Sequence, residues 1–339
     1  MSLMMQSRID PLIEERAPWL FSGRPHHEAS RRLLCRVLGY DRTVEIGEQL
    51  KDDPTPEIMR RVAQMIARDV EVSGLENLPR NGPALVVCNH PTGIADGVIL
   101  HHILAPLRPD LFFYANRDIL RVLPQMEDLI CPVEWRQEKR SLQKTRETMD
   151  YTRRAIEAGR LGVIFPSGRL AKRTGLKLME RPWMASAAMI ARKFDLPVAP
   201  VNIRARNSTL FYLFDLIHPT LRDITLFHEV LNKHRQPFRL TMGRPIPAER
   251  LPSKSEEGDR DAARGDARAR RAIFACRQHP ADDEPARRAP LRTRVGGSRS
   301  ARLAGQAAAP PPHPSAAGRG AVAAAFRQPR AAIFLMLLQ

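Results

Sequence analysis

A histidine and an aspartate set either side of a short turn carry the most specific chemistry in this sequence. The apolar run Leu85 to Cys88 stops at the polar pair Asn89 and His90, Pro91, Thr92 and Gly93 make a turn, and Asp96 follows. An imidazole so placed can take a proton from a hydroxyl group. A carboxylate about one helical turn further on can fold back onto the ring, fix its tautomer and stabilise the imidazolium. No obvious protein nucleophile accompanies the pair. The pattern therefore suits a reaction in which the substrate brings the nucleophile, such as an alcohol attacking an activated acyl group. A plainer reading also fits the spacing: His90 ends a strand and bonds a loop carbonyl, while Asp96 caps a helix.

The elements around the pair favour a cleft. Pro83 to Cys88 has the length and β-branched content of a buried strand. That puts His90 at the carboxyl end of a strand, where open α/β sheets hold their sites. A second stretch, Gly162 to Arg173, runs from a strand through Pro166, Ser167 and Gly168 into the cations Arg169, Lys172 and Arg173. Backbone N–H groups at such a turn, with Arg169, can hold a phosphate, and a solvated basic loop is the alternative.

Residues 1–73 read as a helical N-terminal segment, with Leu33, Leu34, Val37 and Leu38 on one face and Ile58, Met59, Val62, Met65 and Ile66 on another. Thr55 is the expected cap of the second of these helices and Pro56 its first residue. Residues 74–253 alternate strands (83–88, 111–115, 129–133, 161–165, 196–202, 238–242) with helices (98–104, 141–158). This predicts an α/β fold with a largely parallel or mixed central sheet flanked by helices. Leu210 to Ile217 is the most aromatic stretch, either a core helix or an interfacial surface. Residues 254–339, rich in Ala, Arg, Pro and Gly, read as a low-complexity basic tail that is disordered or the product of a shifted reading frame.

The chain has 339 residues, 54 Lys and Arg against 37 Asp and Glu, and a formal charge of +17, so an anionic partner is expected. Its four cysteines have no paired spacing, which points to a reduced compartment. No apolar run approaches the roughly 20 residues that span a bilayer, and the first ten residues lack a signal-peptide pattern. A cytoplasmic protein, peripheral on the inner membrane face, is expected. No zinc-type ligand spacing, Walker loop or dinucleotide loop is seen, and no metal site is expected.

Asn89 and His90 followed by Asp96 resemble the signature of the glycerolipid and lysophospholipid acyltransferase superfamily, whose members share a His-x4-Asp motif. Here five residues intervene, and Gly93 can absorb the extra one. Phe165, Pro166 and Gly168 resemble the family's Phe-Pro-Glu-Gly-Thr-Arg-Ser block, with Ser167 at the glutamate and Arg169 one residue early. Tyr114 to Arg117 is similar to the block whose arginine helps hold the acceptor phosphate, and Leu196 to Asn202 to a later proline-containing strand. The resemblance implies an O-acyltransferase that moves a fatty acyl group from acyl-CoA or acyl carrier protein to the hydroxyl of a lysophospholipid or glycerol-phosphate acceptor. His90 is then the general base and Asp96 its orienter. Asn116, Arg117, Phe165, Pro166, Ser167, Gly168 and Arg169 bind substrate, with Arg117 and Arg169 on the acceptor phosphate and Gly168 allowing close backbone approach. The thioester is a co-substrate, and no further cofactor is implied. The expected partners are these substrates and an anionic membrane surface, with no specific nucleic acid. The rival reading is a basic nucleic-acid- or membrane-binding protein whose acyltransferase-like domain is inactive.

Overall fold

The apolar runs of the sequence become neighbouring strands of one mixed sheet. The computed structural model describes residues 3–134, 139–174, 177–251 and 291–293. Four helices come first: α1 (Leu3–Arg16), α2 (Pro25–Leu38), α3 (Tyr40–Leu50) and α4 (Thr55–Ile66). Then follow β1 (Val70–Ser73), β2 (Ala84–Cys88), α5 (Ile94–Leu104), β3 (Phe112–Asn116), α6 (Asp118–Val122), β4 (Ile130–Val133), α7 (Leu142–Glu157) and β5 (Leu161–Ile164). A small hairpin, β6 (Lys172–Thr174) and β7 (Lys177–Met179), precedes α8 (Ser186–Lys193), β8 (Val198–Arg204), α9 (Thr209–Ile217), α10 (Pro219–Asn232), β9 (Phe238–Met242) and β10 (Leu291–Thr293).

The strand order is β10-β1-β9-β8-β2-β5-β3-β4. Strands β8, β2, β5, β3 and β4 are mutually parallel, and β9 turns antiparallel on β8. Every position of β2, β3 and β5 is buried, as continuous apolar runs in a sheet covered on both faces require. The side-chain alternation of β2 feeds two layers. Val86 and Cys88 join the core with residues of α1, α4, α5 and α10, while Leu85 and Val87 pack with Phe112, Tyr114, Ala155 of α7 and Ile190 of α8.

The amino-terminal segment differs from expectation in detail. Thr55 does not cap α4: it is the first helical residue after Pro54, and its hydroxyl donates to the Gln125 carbonyl at 2.7 Å. β1, inside the stretch read as helical, runs parallel to β9 and belongs to the sheet. On α2 the apolar stripe is split. Leu34 and Leu38 pack with Leu20, Leu210, Phe214 and Ile224, but Leu33 is 62% exposed and Val37 44%. The predicted tail, 254–339, lies outside the described residues except for Leu291–Thr293, which pairs antiparallel with β1. Among the described residues no helix is long and apolar enough to cross a membrane.

Candidate active site

The extra residue between His90 and Asp96 is taken up in the turn that starts α5. Gly93, at φ 83° and ψ −131°, precedes the helix in a conformation that L side chains rarely adopt. Asp96 then falls at the third helical position, and its carboxylate reaches back over the turn. It accepts from the Thr92 N–H at 2.9 Å, the Thr92 hydroxyl at 2.6 Å and the Gly93 N–H at 3.0 Å. His90 Nδ1 lies 3.0 Å from the same Oδ2 that takes the two backbone protons. Asp96 therefore caps the helix and holds the imidazole at once, and the two readings of the sequence describe one carboxylate. With Nδ1–H directed to Asp96, the lone pair available to a substrate is on Nε2.

The sheet topology explains why the pair sits where it does. β2 connects through α5 to β3 on one side, and β5 connects through α8 to β8 on the other. The carboxyl ends of β2 and β5 are thus neighbouring ends from which the chain departs in opposite directions, the crevice in which open α/β sheets bind ligands. His90 leaves β2 there and Phe165 leaves β5. Their rings stack with centroids 4.1 Å apart and planes at 25°, leaving His90 only 2% exposed.

The chain beyond β5 closes over the histidine. Gly168, at φ 56°, turns it, the Ala171 N–H donates to the His90 carbonyl at 3.0 Å, and the Met184 N–H donates to the Pro166 carbonyl at 3.0 Å. Glu180, just past the β6–β7 hairpin, accepts the His90 main-chain N–H with both oxygens, at 3.2 and 3.3 Å. Burial pushes its carboxyl above the usual range, against the Ser167 hydroxyl and His90, which favour the charged form. Ser167 is buried beside it, and the Arg169 carbonyl, 2.8 Å from its Oγ, competes with Glu180 for the one hydroxyl proton.

Of the predicted substrate residues, Phe165 stacks on His90 and Ser167 meets Glu180, while Pro166 and Gly168 belong to the same turn and the Arg169 side chain is exposed. Asn116 and Arg117 stand at the carboxyl end of β3, on the far side of β5 from β2. Asn116 is occupied by Asp118, accepting its N–H at 3.0 Å and donating to its carboxylate at 3.3 Å. Arg117 pairs with Glu147 of α7.

Sequence reading missed two groups. Glu180 follows a short charged hairpin and matches no motif, so nothing in the sequence pointed to it. The fully buried Lys233 donates to the Arg206 carbonyl at 3.1 Å, to Asn207 and to Glu229 at 3.3 Å, and Glu229 accepts the Ser208 N–H at 2.7 Å. This cluster pins the loop after β8. Burial pulls the Lys233 ammonium down, while Glu229 and Asp96 favour its charge. Glu229 to Lys233 is a helical i,i+4 pair, a pattern visible in the sequence but ordinarily found on surfaces.

The acyltransferase family model matches residues 69–204, which run from the start of the sheet through β8 and include His90, Asp96 and the Phe165 block. A lyso-glycine lipid O-acyltransferase of Phocaeicola vulgatus is 28% identical over 216 residues, 60% of this chain and 74% of that one. One of the same name from Bacteroides thetaiotaomicron is 24% identical over 249 residues, 70% of this chain and 88% of the other. The 1-acyl-sn-glycerophosphate acyltransferase PlsC of Thermotoga maritima superposes with a TM-score of 0.41 at 16% identity, covering 75% of this chain and 99% of that structure. With its family model spanning the histidine, the aspartate and the crevice that holds them, the chain carries an acyltransferase domain over residues 69–204 and is an acyltransferase.

Proposed function

We propose that this enzyme moves a fatty acyl group from an acyl thioester to the hydroxyl of a single-chain lipid with an anionic head, with His90 as general base and Asp96 as its orienter. The observation that carries the reading is the His90 Nδ1 to Asp96 contact at 3.0 Å, which leaves Nε2 as the basic atom. The acceptor hydroxyl gives its proton to Nε2 as its oxygen attacks the thioester carbonyl. The tetrahedral intermediate collapses by breaking the C–S bond, and the imidazolium returns the proton to the departing thiolate. The ester and a free thiol are the products. Asp96 holds the ring in place and balances its charge while it carries the proton.

Acyl-CoA and acyl carrier protein both fit a strongly basic chain as donors. For the acceptor, two head chemistries are in play: the phosphate of a lysophospholipid or glycerol phosphate, and the head of a lyso-glycine lipid, the substrate in the relatives' names. Arg169, exposed beside the His90 turn, suits an anionic group of either kind. A membrane supplies such acceptors, and the face that meets it is assigned to α2 and α9. Leu33 and Val37 on α2, and Leu213, Leu216 and Ile217 on α9, are exposed, and both helices rim one small apolar cluster. Arg32 and Arg36 on α2 and Arg206 before α9 add exposed positive charge, the composition of an interfacial surface on anionic lipid. The test is an acyl-transfer assay with acyl-CoA and acyl carrier protein donors against lysophosphatidic acid and lyso-glycine lipid. Transfer to one acceptor class is expected, and no ester product from any pair would overturn the proposal.

A further inference from the structure

A second carboxylate reaches the histidine from a part of the chain that no motif covers. Glu180 takes the His90 main-chain N–H on both of its oxygens. It is hydrogen-bonded to Ser167, the residue that stands where the family's block has glutamate. Among the described residues no lysine or arginine forms an ion pair with it, so the groups that make its charge tolerable are those of the site itself. A carboxylate withdrawn from water in this way is costly to keep. Its position is accounted for if it acts on the ring that moves the proton.

We infer that Glu180 is a positioning residue of this site: it clamps the main chain of His90 and, with Asp96, stabilises the imidazolium formed as the acceptor hydroxyl loses its proton. The inference rests on the acyl-transfer reading for the step it assists, but the contact with His90 stands on geometry alone. Glu180 is the carboxylate that the turn lacks at Ser167, supplied from beyond the β6–β7 hairpin. The other titratable groups around the ring can be named. Asp96 faces it from α5. Cys88 lies buried at the end of β2, its thiol pushed well up by burial and by the two carboxylates. Lys233 acts on Asp96 from beyond α10. The Phe165 ring that covers the imidazole carries no charge.

The test uses the full chain. Glu180→Gln keeps an oxygen for the His90 N–H but removes the charge. With a donor and acceptor that the parent turns over, it is expected to lower kcat about 10- to 100-fold and to leave the donor KM within about twofold. The acid limb of its kcat/KM profile is expected to move to lower pH, because a ring with one less negative neighbour holds its proton less tightly. Glu180→Asp, which withdraws the charge by one methylene, should fall between parent and Glu180→Gln. The double variant Ser167→Glu with Glu180→Ser returns a carboxylate to the same turn and should recover most of kcat. A substrate-free arm follows the His90 ring by NMR, its signal identified by its loss in His90→Ala. The titration midpoint should move to lower pH in Glu180→Gln. An unmoved midpoint overturns the inference whether or not a working substrate pair is in hand, as does Glu180→Gln with parental kcat. A moved midpoint with no turnover from the parent would leave the Glu180 contact standing and count against the acyl-transfer reading.

Discussion

Asn89 and Ile203 exchange two hydrogen bonds, Asn89 Nδ2 to the Ile203 carbonyl at 2.8 Å and the Ile203 N–H to Asn89 Oδ1 at 2.6 Å. The backbone pairing of β2 with β8 ends one residue earlier, at Cys88 and Val201. The amide side chain thus continues the ladder after the backbone has stopped, and the residue before His90 is fixed to the sheet although it no longer belongs to a strand. Asn89→Ala would leave both Ile203 groups without these partners. A loss of about 1–3 kcal/mol is expected, seen as a lower urea midpoint. An unchanged midpoint would mean that water replaces the amide.

The proton-transfer assignment gives the largest expected effect. His90→Ala should remove nearly all transfer with the fold intact, and activity within about tenfold of the parent would sink the mechanism. Asp96→Asn should cost less than His90→Ala but still orders of magnitude, and some stability too, because Thr92 and Gly93 rely on the same carboxylate. Parental rates should rise with pH as the ring loses its proton.

The sheet was legible because its central strands are buried on both faces and so read as unbroken apolar runs. β9 has the same bounds, Phe238–Met242, in sequence and structure. β1 was not legible: Val70–Ser73 is four residues long with alternating burial and begins only a short turn after α4 ends at Ile66. Helical periodicity found the stripe on α2 but could not say that Leu34 and Leu38 turn inward while Leu33 and Val37 stay outside. At the site, the His90 and Asp96 motif could be read because its parts are six residues apart and its geometry is local. Glu180 could not, because its contact spans a hairpin and depends on how that hairpin folds back. The pairing of Arg117 with Glu147 is hidden for the same reason, since it joins β3's end to α7.

That pairing separates the two arginines as anion ligands. Arg169→Ala should raise the KM for an anionic acceptor about tenfold while leaving the donor KM nearly unchanged. Arg117→Ala should do the same only if the guanidinium leaves Glu147 for substrate, in which case Glu147→Gln should lower the acceptor KM. Equal effects of Arg169→Ala on both substrates would reject its assignment.

The membrane face can be tested apart from the chemistry. Leu213→Glu with Leu216→Glu should reduce co-sedimentation with anionic phosphatidylglycerol vesicles by about tenfold or more, while activity on a short-chain, water-soluble acceptor stays near parental. Leu33→Glu with Val37→Glu should act in the same direction. Basic residues elsewhere in the chain will retain some binding at low salt, so the comparison belongs near physiological ionic strength. Undiminished vesicle binding by both double variants would remove α2 and α9 from the interface.

The last expectation concerns stability against pH and involves no substrate. His101 lies on α5 against Phe113, with ring centroids 6.5 Å apart. Burial, with His102 beside it, pushes its pKa down from 6.5 to about 4. Between these two values the unfolded chain binds a proton that the folded chain does not, so stability rises with pH across the window and is lost as pH falls through it. At pH 5 the contribution from this one ring is a loss of about 2 kcal/mol relative to pH 7.5. His102 and His228, also pushed down by burial, act in the same direction. Glu15, held at about 2 despite the opposing effect of burial by hydrogen bonds and charge from Lys139 and Arg121, enters only at lower pH, and the Glu180 carboxyl, raised by burial, is common to the two proteins compared and drops out of their difference. The comparison is therefore clearest above pH 5. Replacing His101→Leu leaves nothing to protonate on that face of α5. Urea unfolding at pH 7.5, 6.5, 5.5 and 5 should give a shallower fall for this variant, with the difference between it and the parent growing as the solution is acidified. Parallel lines for the two proteins would show that the His101 ring titrates in the folded chain as it does in the unfolded one.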